Sequence, residues 1–422
     1  MILHKSSIKY FTISILYKLL LDLSYILFVN DRFAYYGFNL DFDWLYYTSA
    51  FAFTLIAIHA TPRFIKSPSD FFLQVTLFSF LIPFLSYGGL SSSSLIYQSF
   101  IVASFLMIAT LSKSRLAFPY IKLNSNYLWA IAFISVAIVT ANFLQPSSLK
   151  YMNFDLNKVY DFRDLAAEVT NQGFFAYLNK WTFKSIGPLL IIYALYKRHY
   201  TMAIAFMALH VFWFSVSGHK SVLFYPFISL FIFIIFDNSL HKKVGIIPLA
   251  LSGVVLVSLA LFLFFDYSFI ASLFIRRVFF TPAHLSFEYY NFFTENGFLF
   301  WSYKIPLITD YPYDLVPARV IGEYLGNSET NANSSFFSTG YMNAGLLGIV
   351  IYGLVFSSIL MILNKLYHSG VPLWIVVSVT MHPIHSIIKS SDMITGLITH
   401  GLGITLIILY LLSPYFYKRN LA

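Results

Sequence analysis

Apolar residues along the chain collect in long runs that carry few charges and are separated by short polar breaks. A run of about 20 apolar residues, wound as a helix, crosses the hydrocarbon core of a bilayer. Twelve such runs are present. Six lie within Phe11–Val29, Asp43–Ala60, Phe71–Tyr87, Leu95–Leu111, Tyr127–Leu144 and Thr182–Tyr196. The other six lie within Thr201–Val216, Val222–Phe236, Val244–Phe265, Ser338–Leu363, Val371–Ile388 and Met393–Leu412. The seventh and eighth are separated only by Ser217-Gly218-His219-Lys220-Ser221, which predicts a hairpin and not one long helix. The pattern predicts an all-α polytopic membrane protein of about 12 transmembrane helices, with residues 1–422 forming a single integral membrane domain.

Composition supports this reading. Of 422 residues, 58% are apolar, 20% aromatic and 11% charged, whereas soluble domains carry roughly 25% charged residues. A water-soluble globule is excluded. Twelve spans use about 240 residues, and the remainder is too short for a separate soluble domain once connections are subtracted. The net charge of +9 comes from 27 basic and 18 acidic residues. The basic residues are scattered beside apolar runs and form no stripe suited to nucleic acid, so no nucleic-acid partner is expected. The absence of cysteine excludes disulfide and thiol chemistry without identifying a compartment. Lys18 and Asp22 interrupt the first run, and no small-residue cleavage site follows it, so it is not read as a signal peptide.

Orientation follows from the loops. One set carries Lys5, Lys9, Arg63, Lys66, Lys113, Arg115, Lys122, Lys197, Arg198, Lys242, Lys243, Lys365, Lys418 and Arg419, and the opposite short loops hold only Arg32, Lys220 and Lys389. Short cytoplasmic loops retain Lys and Arg. Both termini are therefore expected in the cytoplasm, with two longer segments outside, 145–180 and 266–337.

In the first outer loop Val159, Phe162, Leu165, Ala166 and Val169 recur at helical spacing, predicting a short interfacial helix that stops by Gly173. Phe174, Phe175, Tyr177 and Trp181 read as an aromatic belt before the sixth span. Within that helix Arg163 has Asp161 and Asp164 as nearby ion-pair partners.

The second outer loop opens with Arg276-Arg277, and Pro282 is placed to start a new helix that Gly297 would end. On such a helix His284 and Glu288 share one face. Tyr289 and Tyr290 suit sugar stacking, and the polar run 327–335 with Asn331 and Asn333 follows Arg319. Arg276, Arg277, Arg319 and Arg163 make a candidate anion cradle, because guanidinium groups grip phosphate oxygens bidentately and stay charged. Within the spans, Lys18 and Asp22 are four apart and predict an ion pair. Lys184 is placed to snorkel outward or to reach an anionic ligand. His382 and His385 have no Cys, Asp or Glu at matching spacing and read as buried hydrogen-bonding groups. No metal and no cofactor is expected.

The segments Arg276-Arg277-Val278-Phe279-Phe280-Thr281-Pro282-Ala283, Tyr289-Tyr290-Asn291-Phe292-Phe293, Asn331 to Gly340, Tyr160-Asp161-Phe162-Arg163 and Gly218-His219-Lys220-Ser221 together resemble the oligosaccharide repeat-unit polymerases, the Wzy-type O-antigen polymerases of Gram-negative inner membranes. The resemblance covers roughly residues 145 to 365 at motif level. It implies a GT-C-like membrane glycosyltransferase that moves a growing glycan from undecaprenyl diphosphate to the non-reducing end of a new lipid-linked repeat unit. Inner-membrane lipids and a chain-length regulator are the further partners implied. Some members of that family show an Arg followed about ten residues later by Gly in two outer loops; Arg163 and Gly173 approximate that spacing, while Arg319 is followed by Gly322 and Gly326 instead.

The chemistry of the residues agrees. A lipid diphosphate needs cations for the charge that develops as it departs; Arg276, Arg277, Arg319 and Arg163 or Lys220 supply them, and His284 or Glu288 is the candidate general base. Two other readings compete. A flippase or other transporter of lipid-linked oligosaccharide would show two related halves, which are not visible. An O-antigen ligase would call for a His-Asn pair in the large loop, where His284 is followed by Leu285.

Overall fold

The computed structural model describes residues 2–114, 116, 125–155, 158–305 and 309–419. Among them the chain is helical with no strand. Arg115 and Lys122 of the loop count lie outside the described residues. Each of the twelve apolar runs falls on helix. Among the described residues six helices are long and apolar enough to cross a membrane: Lys5–Tyr36, Pro68–Leu90, Asn126–Phe143, Tyr200–Ser217, Ile246–Phe265 and Phe336–His368. Trp44–Ala60, Leu95–Leu111, Lys220–Phe236 and Leu402–Pro414 are shorter apolar helices. This is a multi-pass α-helical membrane protein.

The chain divides into two compact units, each assembled from separated stretches: 1–114, 241–361 and 387–393 in the first, and 115–240, 362–386 and 394–422 in the second.

The first unit is built around Pro68–Leu90, which is buried along its whole length. Its start is fixed locally. Ser67 accepts from the Asp70 backbone N–H, the Asp70 carboxylate accepts from the Ser67 N–H, and Pro68 occupies the first turn. Its Phe80 and Phe84 rings stack 5.8 Å apart, and Phe84 lies flat on Phe287, at 4.5 Å and 4°. Ile246–Phe265 instead leaves Leu249, Leu256, Val257, Leu263 and Phe264 exposed, as an apolar helix facing lipid would. Lys18 and Asp22 form the expected ion pair, both buried, and the Tyr47 hydroxyl donates to the same carboxylate at 2.8 Å.

The second unit packs Trp213, Phe183, Leu190, Ile191 and Phe206 into its core. The Tyr200–Ser217 and Lys220–Asp237 helices form the predicted hairpin, turned by Gly218 at φ 66°. The predicted loop helix is present as Val159–Thr170.

Four details differ from the sequence reading. Pro282 does not open a new helix: helix begins at Ser268, continues as a π segment over Ser272–Phe280 and passes directly into Thr281–Asn296, with Gly297 ending it as expected. The apolar run 393–412 is broken into Met393–Ile398 and Leu402–Arg419 by a turn at Gly401, φ 83°. The run 338–363 is interrupted at Ala344 and Gly345, where the dihedrals leave the helical region. The chain folds back so tightly there that a Cβ on Gly348 would fall 1.9 Å from the Gly340 carbonyl oxygen. A hydropathy average over about 20 residues registers none of these breaks, because the few polar or small residues involved, Thr399-His400-Gly401 and Asn343-Ala344-Gly345, are outweighed by the apolar residues on both sides. Lys184 does not snorkel: it is buried, with Nζ 2.6 Å from His400 Nδ1.

Candidate functional site

The π segment Ser272–Phe280 carries Arg276 and Arg277. A π turn widens the helix by one residue per turn and re-aims the side chains that follow it, and such turns gather at functional sites. A second π segment, Tyr25–Asn30, packs alongside, with the Tyr25 and Phe280 rings 5.0 Å apart. The Arg276 guanidinium is half-buried. It lies 4.3 Å over the Phe33 ring and 5.5 Å from the Tyr36 ring, and donates to Ser272 Oγ at 3.0 and 3.2 Å. Arg277 is exposed beside it. Among the described residues no carboxylate comes within ion-pair distance of either arginine, whereas nearby Arg32 pairs with Asp266 at 2.9 Å. Burial first, and then the neighbouring Arg277 charge, lower the Arg276 pKa. An anion placed there relieves both effects.

One turn beyond Pro282, His284 and Glu288 face each other as their spacing requires, Nδ1 to Oε1 3.5 Å. The Tyr87 hydroxyl, from the central Pro68–Leu90 helix, shares a hydrogen bond with the same Nδ1 at 2.9 Å. The imidazole is buried under the loop after the first helix. Phe38 lies 4.9 Å from its ring, and Gly37 passes so close that a Cβ there would stand 3.0 Å from Cε1. Nε2 is buried without a partner among the described residues. Burial lowers the His284 pKa to about 4 and raises that of Glu288. At neutral pH the imidazole is uncharged. Glu288, its side chain 17% exposed against 6% for that of His284, is the more exposed member of the pair. The loop 33–38 thus touches both chemical groups, Arg276 through Phe33 and Tyr36, and His284 through Gly37 and Phe38.

Tyr289 is buried and its hydroxyl donates to the Ala332 carbonyl at 3.1 Å, which ties the 309–335 segment to this helix. Tyr290, partly exposed, lies between the Tyr97 and Tyr341 rings at 4.7 and 5.0 Å. Asn331 and Asn333 are exposed on either side of buried Ala332. Arg319, on the Pro317–Tyr324 helix, faces Glu329 at 3.8 Å across an exposed surface, so its charge is already partly answered. Gly322 allows Thr330 to pass: a Cβ there would lie 2.1 Å from the Thr330 carbonyl oxygen.

Arg163 and Lys220 belong to the second unit. There the hairpin turn Gly218 sits on the loop helix. A Cβ on Gly218 would lie 3.1 Å from the Val159 carbonyl oxygen and from the Phe162 ring, and 3.2 Å from Arg163 Cβ. The two motifs around Phe162-Arg163 and Gly218-His219 are therefore in contact. Arg163 keeps an exposed pairing with Asp164 at 3.3 Å. Behind the turn a cavity of about 190 Å3 is lined by Lys180, Lys184, His219, Asn171 and Asn179. Burial, and next the Arg163 and Lys180 charges, lower the His219 pKa to about 4. The surroundings of this cavity are cationic.

Sequence reasoning missed Phe33, Tyr36, Gly37, Phe38 and Tyr87 in the first unit and Lys180 and His400 in the second. The aromatic cluster 33–38 is visible in the chain, but no local pattern points to partners so distant in sequence. No protein-family model, no curated protein and no solved structure matches the chain.

Proposed function

We propose that this protein is a membrane glycosyltransferase of the Gram-negative inner membrane, an O-antigen polymerase that extends a polysaccharide on its undecaprenyl-diphosphate carrier. In this reading the chain spans the bilayer about 12 times with a GT-C-like arrangement and both termini in the cytoplasm, and segments 145–180 and 266–337 lie in the periplasm. The observation that carries it is the pair Arg276 and Arg277, without a carboxylate partner among the described residues, placed on the same continuous helix as Glu288 and His284.

The chemistry follows from those groups. The bond from the anomeric carbon of the growing glycan to its phosphate oxygen breaks, and the diphosphate leaves with the bonding electrons, its charge held by Arg276 and Arg277. The hydroxyl at the non-reducing end of the new repeat unit forms the glycosidic bond, and its proton passes to Glu288. Tyr87 holds the His284 imidazole, whose Nδ1 lies 3.5 Å from that carboxylate. Tyr290, Asn331 and Asn333 face the sugars, Arg319 borders them, and Tyr289 holds the segment that carries the asparagines. Arg163 and Lys220, with the Lys180–Lys184 cavity, offer a further anion-binding surface within the second unit. No nucleotide sugar is required.

Deleting the gene tests this. Polymerase loss leaves lipopolysaccharide capped with a single repeat unit, restored to a ladder by complementation. Accumulation of free polymer on the lipid carrier marks a ligase instead, and accumulation of repeat units on the cytoplasmic face marks a transporter.

A further inference from the structure

The opening helix of the first unit meets Arg276 at Phe33; near its other end, 23 residues and roughly 35 Å away at 1.5 Å per residue, Tyr10 borders a cavity of about 700 Å3. That size suits a ligand of several hundred daltons. Ile8, Phe11, Ile58 and Phe64 contribute apolar wall, and Arg63, Lys66 and Lys113 contribute charge. Among the described residues none of these three cations has a carboxylate within ion-pair distance. The acid in the lining, Asp70, is already engaged: its Oδ2 accepts from the Lys66 and Ser67 backbone N–H groups, at 2.9 Å each. The Arg63 guanidinium rests 5.7 Å from the Phe64 ring centre, which limits its freedom. Tyr10 is 4% exposed, and its hydroxyl has no partner among the described residues. A buried donor left unpaired is unfavourable, so the hydroxyl favours an acceptor brought in from outside.

We propose that this cavity is a second lipid site, holding the phosphate head of an amphiphile between Tyr10, Arg63, Lys66 and Lys113 with its hydrocarbon against Ile8, Phe11 and Ile58. Apolar wall and cationic rim together exclude a free sugar, which has no charge for the rim, and a bare phosphate, which has no chain for the wall. The shared chemistry is a phosphate ester on a long hydrocarbon, supplied either by a bilayer phospholipid or by a polyprenyl phosphate. The site uses none of the residues that act on the glycan.

Native mass spectrometry of the full-length protein in nonionic detergent tests it with three probes: dioleoyl phosphatidylglycerol, undecaprenyl phosphate and dioleoylglycerol. One phosphorylated lipid is retained per protein, and dioleoylglycerol, which has the same tails as the phospholipid but no phosphate, binds at least tenfold more weakly. Tyr10→Phe removes only the hydroxyl and keeps the edge contact of the ring with Phe78 at 6.1 Å. It weakens phosphorylated-lipid binding about tenfold, the value of a hydrogen bond to a charged group, and leaves dioleoylglycerol unaffected. Arg63→Gln with Lys113→Gln weakens it roughly 25-fold, at about 1 kcal/mol per cation. Retention of both phosphorylated lipids assigns the site to the phosphate ester in general, and retention of one identifies the source. Unchanged binding in both variants, or dioleoylglycerol binding as tightly as the phosphorylated lipids, overturns the proposal.

Discussion

Arg276→Ala separates a catalytic role for this guanidinium from a structural one. In the folded chain Arg276 stacks on Phe33 at 4.3 Å and donates to Ser272, and among the described residues no carboxylate pairs with it. Truncation loses a cation–π contact of about 0.5 to 1 kcal/mol and charged-donor hydrogen bonds of about 1.5 kcal/mol at this half-exposed position, without leaving an orphaned buried acid. The protein therefore loses roughly 2 to 2.5 kcal/mol of stability and still inserts. The transferring diphosphate, in contrast, loses a charge-assisted bond of about 1.5 to 3 kcal/mol, a fall of roughly 10- to 150-fold in rate. Arg276→Lys keeps the charge but not the bidentate fork, and falls between wild type and alanine. Initial rates on a lipid-linked repeat unit, with thermal unfolding of the same preparations, read both quantities. A rate within twofold of wild type in the alanine variant refutes the reasoning. So does a rate loss fully matched by unfolding of the protein.

The buried pair His284 and Glu288 yields a pH prediction. An unfolded histidine takes a proton below about 6.5, but His284 in the folded chain stays neutral down to about 4. Between those values the unfolded state binds more protons, so stability falls on acidification by up to roughly 3 kcal/mol from this group. Unfolding midpoints from pH 7 to 4 should drop less steeply in His284→Gln; identical slopes contradict the assignment. Glu288, raised by burial, acts in the opposite sense: its protonated form is favoured in the fold, and stability declines as pH rises through its raised pKa. In the first helix, Lys18→Met alone should cost about 3 to 5 kcal/mol by leaving Asp22 charged and unpaired, and Lys18→Met with Asp22→Leu should recover most of it; additive losses in a double-mutant cycle would show that the two groups are not coupled. Because the chain has no cysteine, Ser328→Cys is a clean topology probe. An impermeant maleimide added to cells with a permeabilised outer membrane should label it and should not label Ser114→Cys, and the reverse pattern inverts the orientation.

Much of this arrangement was legible in the sequence because it rests on local periodicity. The apolar runs became helix, two of them with a break inside, the 217–221 break became a hairpin, and the i,i+4 pairs Lys18–Asp22 and His284–Glu288 met as spacing alone requires. What was not legible depends on tertiary packing. The π segment under Arg276 has no residue signature, and the Tyr25–Asn30 segment that packs beside it is far away in sequence. The reversal at Ala344–Gly345 relies on the bare backbones of Gly340 and Gly348 crossing, inside a run that hydropathy reads as continuous. Tyr289 and Tyr290 are adjacent and alike in sequence, yet one is locked to Ala332 and the other lies between two aromatic rings near the surface. The cover that Gly37 and Phe38 place on His284 comes from a different part of the chain altogether.

The central claim is that Arg276 and Arg277 hold a departing carrier diphosphate while glycan passes to a second carrier. Purified protein in vesicles containing only the lipid-linked repeat unit measures this directly. Glycans of two or more repeats are expected, with one free undecaprenyl diphosphate released per linkage formed, and no such products from the Arg276→Ala, Arg277→Ala double variant. Extension that proceeds only when a nucleotide sugar is added, or full extension by the double variant, contradicts it.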